Sequence, residues 1–207
     1  MTMYCCFEGI KGAGKSTVFA MVCQQLARDG EHFSTVCPTR PKAGFSLAEQ
    51  AFRWLGNDCP DQLSEHVYAK RSDHHWACRD RASPLLIGDR SILTSYATRF
   101  DPQHPGAVIQ RVNQHERLIA LPDVVFLLEI DPGEAARRIA ERPARVYGRH
   151  DESLARLEQT AQAYRHLAQH GTELGLASID WQILDARRDP QDIALCVLEK
   201  IRTLRMT

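Results

Sequence analysis

Eight residues near the N-terminus restrict this chain more than any other feature. Gly9-Ile10-Lys11-Gly12-Ala13-Gly14-Lys15-Ser16 satisfies G-x-x-x-x-G-K-[ST], between an apolar run that ends at Glu8 and a helical pattern that begins at Lys15. Gly9, Gly12 and Gly14 permit positive φ and close backbone approach, so successive N–H groups can wrap a phosphate chain at the positive end of that helix. Lys15 supplies a fixed positive charge for the outer phosphates. Ser16 offers a hydroxyl to Mg²⁺, an ion that keeps several waters and takes few protein ligands. Strand, loop and helix agree, which separates this pattern from a chance Gly-rich turn.

The rest of the chain supplies the fold such a loop requires. Short apolar runs at 3–8, 32–37, 85–89, 124–130 and 178–184 read as strands. Between them lie helical patterns at 15–29, 46–56, 61–81, 91–99, 107–121, 132–141, 151–170 and 190–204. Such alternation predicts an α/β fold with one doubly wound parallel sheet, in a single domain over 1–207. In the helix near 160, Leu154, Leu157, Ala161, Tyr164 and Leu167 recur at spacings of three and four and are expected in the core.

Charge narrows the function classes. Lys+Arg and Asp+Glu each total 26, which disfavours a broad nucleic-acid surface and a polybasic membrane anchor. The longest apolar runs have six residues, against roughly 18 for a membrane span. The N-terminus has neither the basic start nor the long apolar stretch of a secretory signal, and the seven cysteines form no Cys-x-x-Cys pair. A cytoplasmic chain with reduced, mostly buried thiols is expected.

The neutral total conceals 21 Arg against five Lys. Five of those arginines fall between Arg137 and Arg149, where Glu141 is the only acid. Pro143 and Gly148 place the last three, Arg142, Arg145 and Arg149, on a loop, read as a lid at about 142–150 that closes over a transferred phosphate. A carboxylate for the Mg²⁺ shell is expected at the end of a neighbouring strand. Asp89 is favoured over Glu129 because Arg90 follows it at the carboxyl edge of the sheet, where open α/β sheets bind ligands.

These residues resemble the thymidylate kinases along nearly the whole chain. Phe7 to Thr17 is similar to that family's phosphate loop, FEGxDGAGKTT. Thr39-Arg40 stands where the family has TREPGG, followed by Leu47 and Glu49. Arg71 and His74 match the helix segment AADRAQH. Asp89-Arg90, with Ser95 and Ala97, resembles the family's acid–Arg turn and the helix after it. Pro122-Asp123 opens the fourth strand, Asp131-Pro132 follows it, and Leu184-Asp185-Ala186 resembles the turn beside the adenine, with Arg187 next to it.

The resemblance implies a P-loop three-layer α/β/α sandwich with strand order 2-3-1-4-5, in a homodimer, in which ATP-Mg²⁺ phosphorylates a nucleoside 5'-monophosphate. Gly9, Lys11, Gly12, Ala13, Gly14, Lys15, Ser16, Thr17 and Arg187 would bind ATP, with Ser16 and Asp89 on the Mg²⁺. Glu8, Arg40, Val67, Arg71, Arg90, Thr98 and Arg99 would face the acceptor. Arg40, Arg71 and Arg90 would hold its phosphate. Lys15, Asp89, Arg90, Arg145 and Arg149 would form the catalytic set.

The departures fall on the acceptor side. Lys11 replaces the family's phosphate-loop Asp, which turns an acceptor of hydrogen bonds into a donor. Val67 stands where the family places an aromatic ring on thymine, with Tyr68 adjacent. Thr98-Arg99 replaces Tyr-Gln, and Pro41-Lys42 replaces Glu-Pro. Two other readings remain open at this level. One is a nucleoside kinase acting on a 5'-hydroxyl, for which Glu8 or Asp89 would be the base. The other is an ATP-binding regulatory protein without turnover. The nine histidines match no zinc spacing, and Trp54, Trp76 and Trp181 are expected in the core.

Overall fold

The computed structural model describes residues 2–40, 47–55, 59–142 and 152–206. Its centre is a five-stranded sheet of β1 (Met3–Glu8), β2 (Ser34–Val36), β3 (Leu85–Asp89), β4 (Val124–Glu129) and β5 (Asp180–Asp185). Every pairing is parallel, and the order is β2-β3-β1-β4-β5. This is the doubly wound architecture expected from the sequence. The helices are α1 (Lys15–Arg28), α2 (Leu47–Leu55), α3 (Asp61–Ala77), α4 (Ile92–Thr98), α5 (Pro105–His115), α6 (Pro132–Ala140), α7 (Leu154–Gln169) and α8 (Pro190–Met206).

The inner strands are apolar up to the acid that ends each of them, apart from Gly88, because both faces are covered. Alternation then divides their side chains between two cores. Cys5, Phe7, Leu85, Ile87, Val124, Phe126 and Leu128 join residues of α1 and α8 on one face. Tyr4, Cys6, Leu86, Val125 and Leu127 join residues of α4, α5 and α7 on the other. Asp123 anchors the start of β4 by accepting a hydrogen bond from the Tyr4 backbone N–H at 2.7 Å.

Several elements differ in detail from their sequence patterns. β2 is shorter than the run 32–37, and α5 begins at Pro105, whose missing N–H costs nothing at a first helical position. Leu157, Ala161, Tyr164 and Leu167 are buried as expected, but Leu154 is exposed in the first turn of α7. Trp54 corrects an expectation outright: it is 85% exposed on α2, where no second layer covers it. All seven cysteines are free, yet only Cys5, Cys6 and Cys37 are buried. Among the described residues, no helix is long and apolar enough to cross a membrane.

Candidate active site

The sheet order makes β1 the switch point, since the chain proceeds from it to β3 and β2 on one side and to β4 and β5 on the other. The register Phe7↔Asp89 sets the ends of β1 and β3 side by side, so the Gly-rich loop and the Asp89-Arg90 turn share one edge. The loop needs its glycines. Gly9 has φ +133, and a Cβ there would collide with the Leu128 carbonyl; Gly12 has φ +87, with a Cβ 2.6 Å from the Ala135 carbonyl oxygen.

Lys15 is buried and folds back over the loop, donating to the carbonyls of Gly9 at 2.8 Å and Ile10 at 2.7 Å. Burial, and then the nearby Arg90, push its pKa well below the ordinary lysine value. Bound phosphates would reverse that balance by supplying negative charge. Ser16 is exposed in the first turn of α1.

Arg90 is the one non-glycine described residue at positive φ, 79°, a backbone strain that costs about 1–3 kcal/mol and concentrates at functional sites. Its N–H donates to the Phe7 carbonyl at 3.1 Å, and its Nη1 to Thr94 Oγ1 at 3.3 Å. Burial works against its charge, but Tyr164, Glu8 and Asp89 outweigh that and raise its pKa further. Among the described residues, neither Lys15 nor Arg90 has a carboxylate partner in an ion pair. Two cations thus stand at one edge of the sheet, with the Glu8 and Asp89 carboxylates near enough to favour their charge but, among the described residues, in no ion pair with either.

Glu8 lies beneath them and is fully buried. Its Oε1 accepts from the backbone N–H and the hydroxyl of Ser91, each at 2.7 Å. Its Oε2 accepts from Thr94 Oγ1 at 2.8 Å and the Tyr164 hydroxyl at 2.7 Å. Four donors saturate this carboxylate and tie β1 to the start of α4 and to α7. Sequence reasoning missed its partners. Ser91 is legible as the N-cap of α4, but Tyr164 lies 156 residues from Glu8.

Asp89 is buried, and its Oδ2 accepts from Arg40 Nη2 at 2.7 Å. Its rival Glu129 pairs with Arg165 at 2.5 Å on a more exposed rim. His75 Nε2 lies 3.2 Å from the Arg40 carbonyl. Arg71 is spent on structure: its Nε and Nη2 grip Glu49, and its Nη1 donates to the Thr39 carbonyl at 3.0 Å.

Val67 is packed in the interior, whereas the Tyr68 ring lies 5.3 Å from the Arg71 guanidinium and 5.4 Å from that of Arg99. The Thr98 hydroxyl donates to the Thr94 carbonyl at 2.8 Å. Arg187 lies at the far side of the loop, after β5, and chelates Asp185. Lys11 Nζ stands 3.9 Å from Glu152. Arg145 and Arg149, like Pro41 and Lys42, lie outside the described residues.

A family model described as thymidylate kinase matches residues 7–191. The chain belongs to the thymidylate kinase family. It is similar to a thymidylate kinase of Bacillus pumilus, 26% identical over 213 residues that cover 97% of this chain and 95% of the relative. A thymidylate kinase of Leptospira borgpetersenii is 26% identical over 78% of each chain, and one of Paracidovorax citrulli is 37% identical over 49% of this chain and 44% of its own. As a member of the thymidylate kinase family, the chain is an ATP-dependent nucleoside monophosphate kinase, and its partners are small nucleotides.

Proposed function

We propose that the acceptor is dTMP and that ATP is delivered with Mg²⁺ at the edge formed by the phosphate loop and the Asp89-Arg90 turn. The observation that carries this reading is the Phe7↔Asp89 register, which sets Lys15 of the phosphate loop and Arg90 after β3, neither in an ion pair among the described residues, at one edge of the sheet. Phosphoryl transfer asks a protein for positioning and charge neutralisation, which is what such an edge can do.

Gly9, Gly12, Ala13, Gly14, Lys15, Ser16 and Thr17 hold the donor phosphates, with Lys11 and Arg187 at the rim. Ser16 and Asp89 would hold Mg²⁺. Both offer oxygen, and no described cluster of three His, Cys, Asp or Glu competes for a cation. When bound, the ion neutralises charge on the donor phosphates. Arg40 and Arg90 clamp the acceptor phosphate, and Arg90 reaches the transferred group. Arg71 forms the wall behind, its charge neutralised by Glu49. Val67, Thr98 and Arg99 border the nucleoside. Arg145 and Arg149 would close the lid.

Glu8 orders the Arg90 turn from below. A carboxylate already accepting four hydrogen bonds has no lone pair left for an acceptor hydroxyl, which argues against a nucleoside kinase with Glu8 as base. One domain carries the whole site. Leu47 and Trp54, 83% and 85% exposed, lie two helical turns apart on one face of α2 and support a homodimer. Seven free thiols suit the cytoplasm.

The test is an ADP-release screen over ribo- and deoxynucleoside monophosphates and the matching nucleosides, with dTMP as reference. Turnover on dTMP above all others is expected. Turnover on nucleosides alone, or ATP binding with no ADP released on any acceptor, overturns the proposal.

A further inference from the structure

Two histidines meet at the C-terminal end of α7, away from the phosphate loop. His166 lies in the last turn and His170 caps the helix, four residues on, the spacing that brings side chains together on one helix face. Their ring centroids are 4.4 Å apart, with 29° between the planes. Two histidines alone make no zinc set in a sequence; the fold adds the groups that hold them.

The Phe100 ring, from the segment after α4, lies 5.0 Å from the His166 ring, so His166 is flanked by two rings. His170 Nδ1 faces Glu173 Oε2 at 3.5 Å. A carboxylate there favours the proton on Nδ1 and leaves the Nε2 lone pair for a ligand, which is how metal-ligating histidines are usually oriented. His166 is half-buried and the His170 side chain is 43% exposed, so solvent reaches the pair.

The dimensions suit one shared cation. An ion about 2.1 Å from one nitrogen of each ring, with a right angle between the two bonds, sets the ring centroids about 4.5 Å apart. The χ2 torsion of histidine is broad, so each ring can turn a nitrogen toward the ion while the centroids stay in place. The surroundings favour positive charge. The pair sits at the negative end of the α7 dipole, and the neighbouring Arg165 is neutralised by Glu129.

The donor set decides which ion. Among the described residues no cluster of three His, Cys, Asp or Glu could hold a metal, so two imidazoles and water make up the coordination. Mg²⁺ and Ca²⁺ prefer oxygen ligands, and a structural Zn²⁺ takes four protein ligands. Cu²⁺ and Ni²⁺ bind imidazole strongly, in that order.

We propose that His166 and His170 form a two-imidazole site for a divalent transition cation, Cu²⁺ before Ni²⁺, oriented by Glu173 and separate from the Mg²⁺ edge. The ion clamps the last turn of α7, the helix whose Tyr164 holds Glu8.

The experiment titrates the full chain with Cu²⁺ and Ni²⁺, and with Mg²⁺ as control, by calorimetry and by thermal denaturation. Tighter binding of Cu²⁺ than of Ni²⁺ is expected, with Tm raised by both and not by Mg²⁺. His166→Gln and His170→Gln should each weaken Ni²⁺ binding about tenfold or more and remove the rise in Tm. Glu173→Gln should weaken it about tenfold. The paramagnetic resonance spectrum of the Cu²⁺ complex should show two ligating nitrogens in the wild type and one in either histidine variant. The competing site is His74 with Cys78, whose Sγ lies 3.7 Å from His74 Nδ1 on α3. Binding that survives substitution of both His166 and His170, or that disappears in His74→Gln, overturns the proposal, as does a wild-type spectrum with a single nitrogen.

Discussion

Arg40 and Asp89 meet across the mouth of the sheet, where Nη2 of the arginine donates to Oδ2 of the aspartate at 2.7 Å. The arginine side chain is 55% exposed and the aspartate 9%, so the mobile partner lies on the solvent side. An incoming phosphate would compete with Asp89 for Arg40. Arg40→Ala should therefore raise the acceptor KM about tenfold, the value of one charge-assisted hydrogen bond, while the ATP KM changes far less. Steady-state ADP release decides this, and an unchanged acceptor KM would leave Arg40 only the task of holding Asp89.

Lys15→Ala should lower kcat about 10³-fold, as expected for loss of a preorganised charge at the transferred group. The fold should survive, because the Lys15 bonds run to loop carbonyls and burial already opposes its charge. Circular dichroism of the variant should match wild type. Undiminished turnover would remove Lys15 from the catalytic set.

Glu8→Gln replaces an acceptor of four hydrogen bonds with an amide that must point a donor at other donors. A loss of about 2 kcal/mol is expected, which lowers Tm by about 4–8 °C in a domain of this size. Thermal denaturation measures it, and a Tm equal to that of wild type would contradict this network.

The positive φ of Arg90 gives a paired comparison. Arg90→Gly relieves the backbone strain that Arg90→Ala retains, so the glycine variant should be the more stable by about 1 kcal/mol in urea unfolding. Both variants should lose turnover together. If alanine proved the more stable, the strained turn would be refuted.

Trp54→Glu places a charge on the exposed face of α2. Sedimentation should show a dimer for wild type and a monomer for the variant at the same concentration. Dimers in both samples would move the interface elsewhere.

The phosphate loop and its flanking elements were readable because their signals are local. Three glycines, a lysine and a serine sit within eight residues, and the strand and helix on either side have their own periodicity. The charge of Arg40 and Arg71 was equally readable, but their different fates were not. One pairs with a buried aspartate and stays exposed, while the other is consumed by Glu49, and only the packing of α2 against α3 separates the two. Trp54 shows the opposite failure, because an apolar type implies burial only where another layer exists to cover it.

By itself, the sequence determined the α/β class, the phosphate loop, the acid–Arg pair after the third strand and the family. Each is written in residues close together along the chain. Only the tertiary structure decided that Glu8 is a saturated strut, that Arg71 is consumed by Glu49, and that Arg90 and Lys15 form no ion pair among the described residues. Those outcomes depend on which distant groups arrive within about 3 Å, where hydrogen bonds and charge pairing act. Adjacency of that kind is set by strand order and helix packing rather than by composition or spacing.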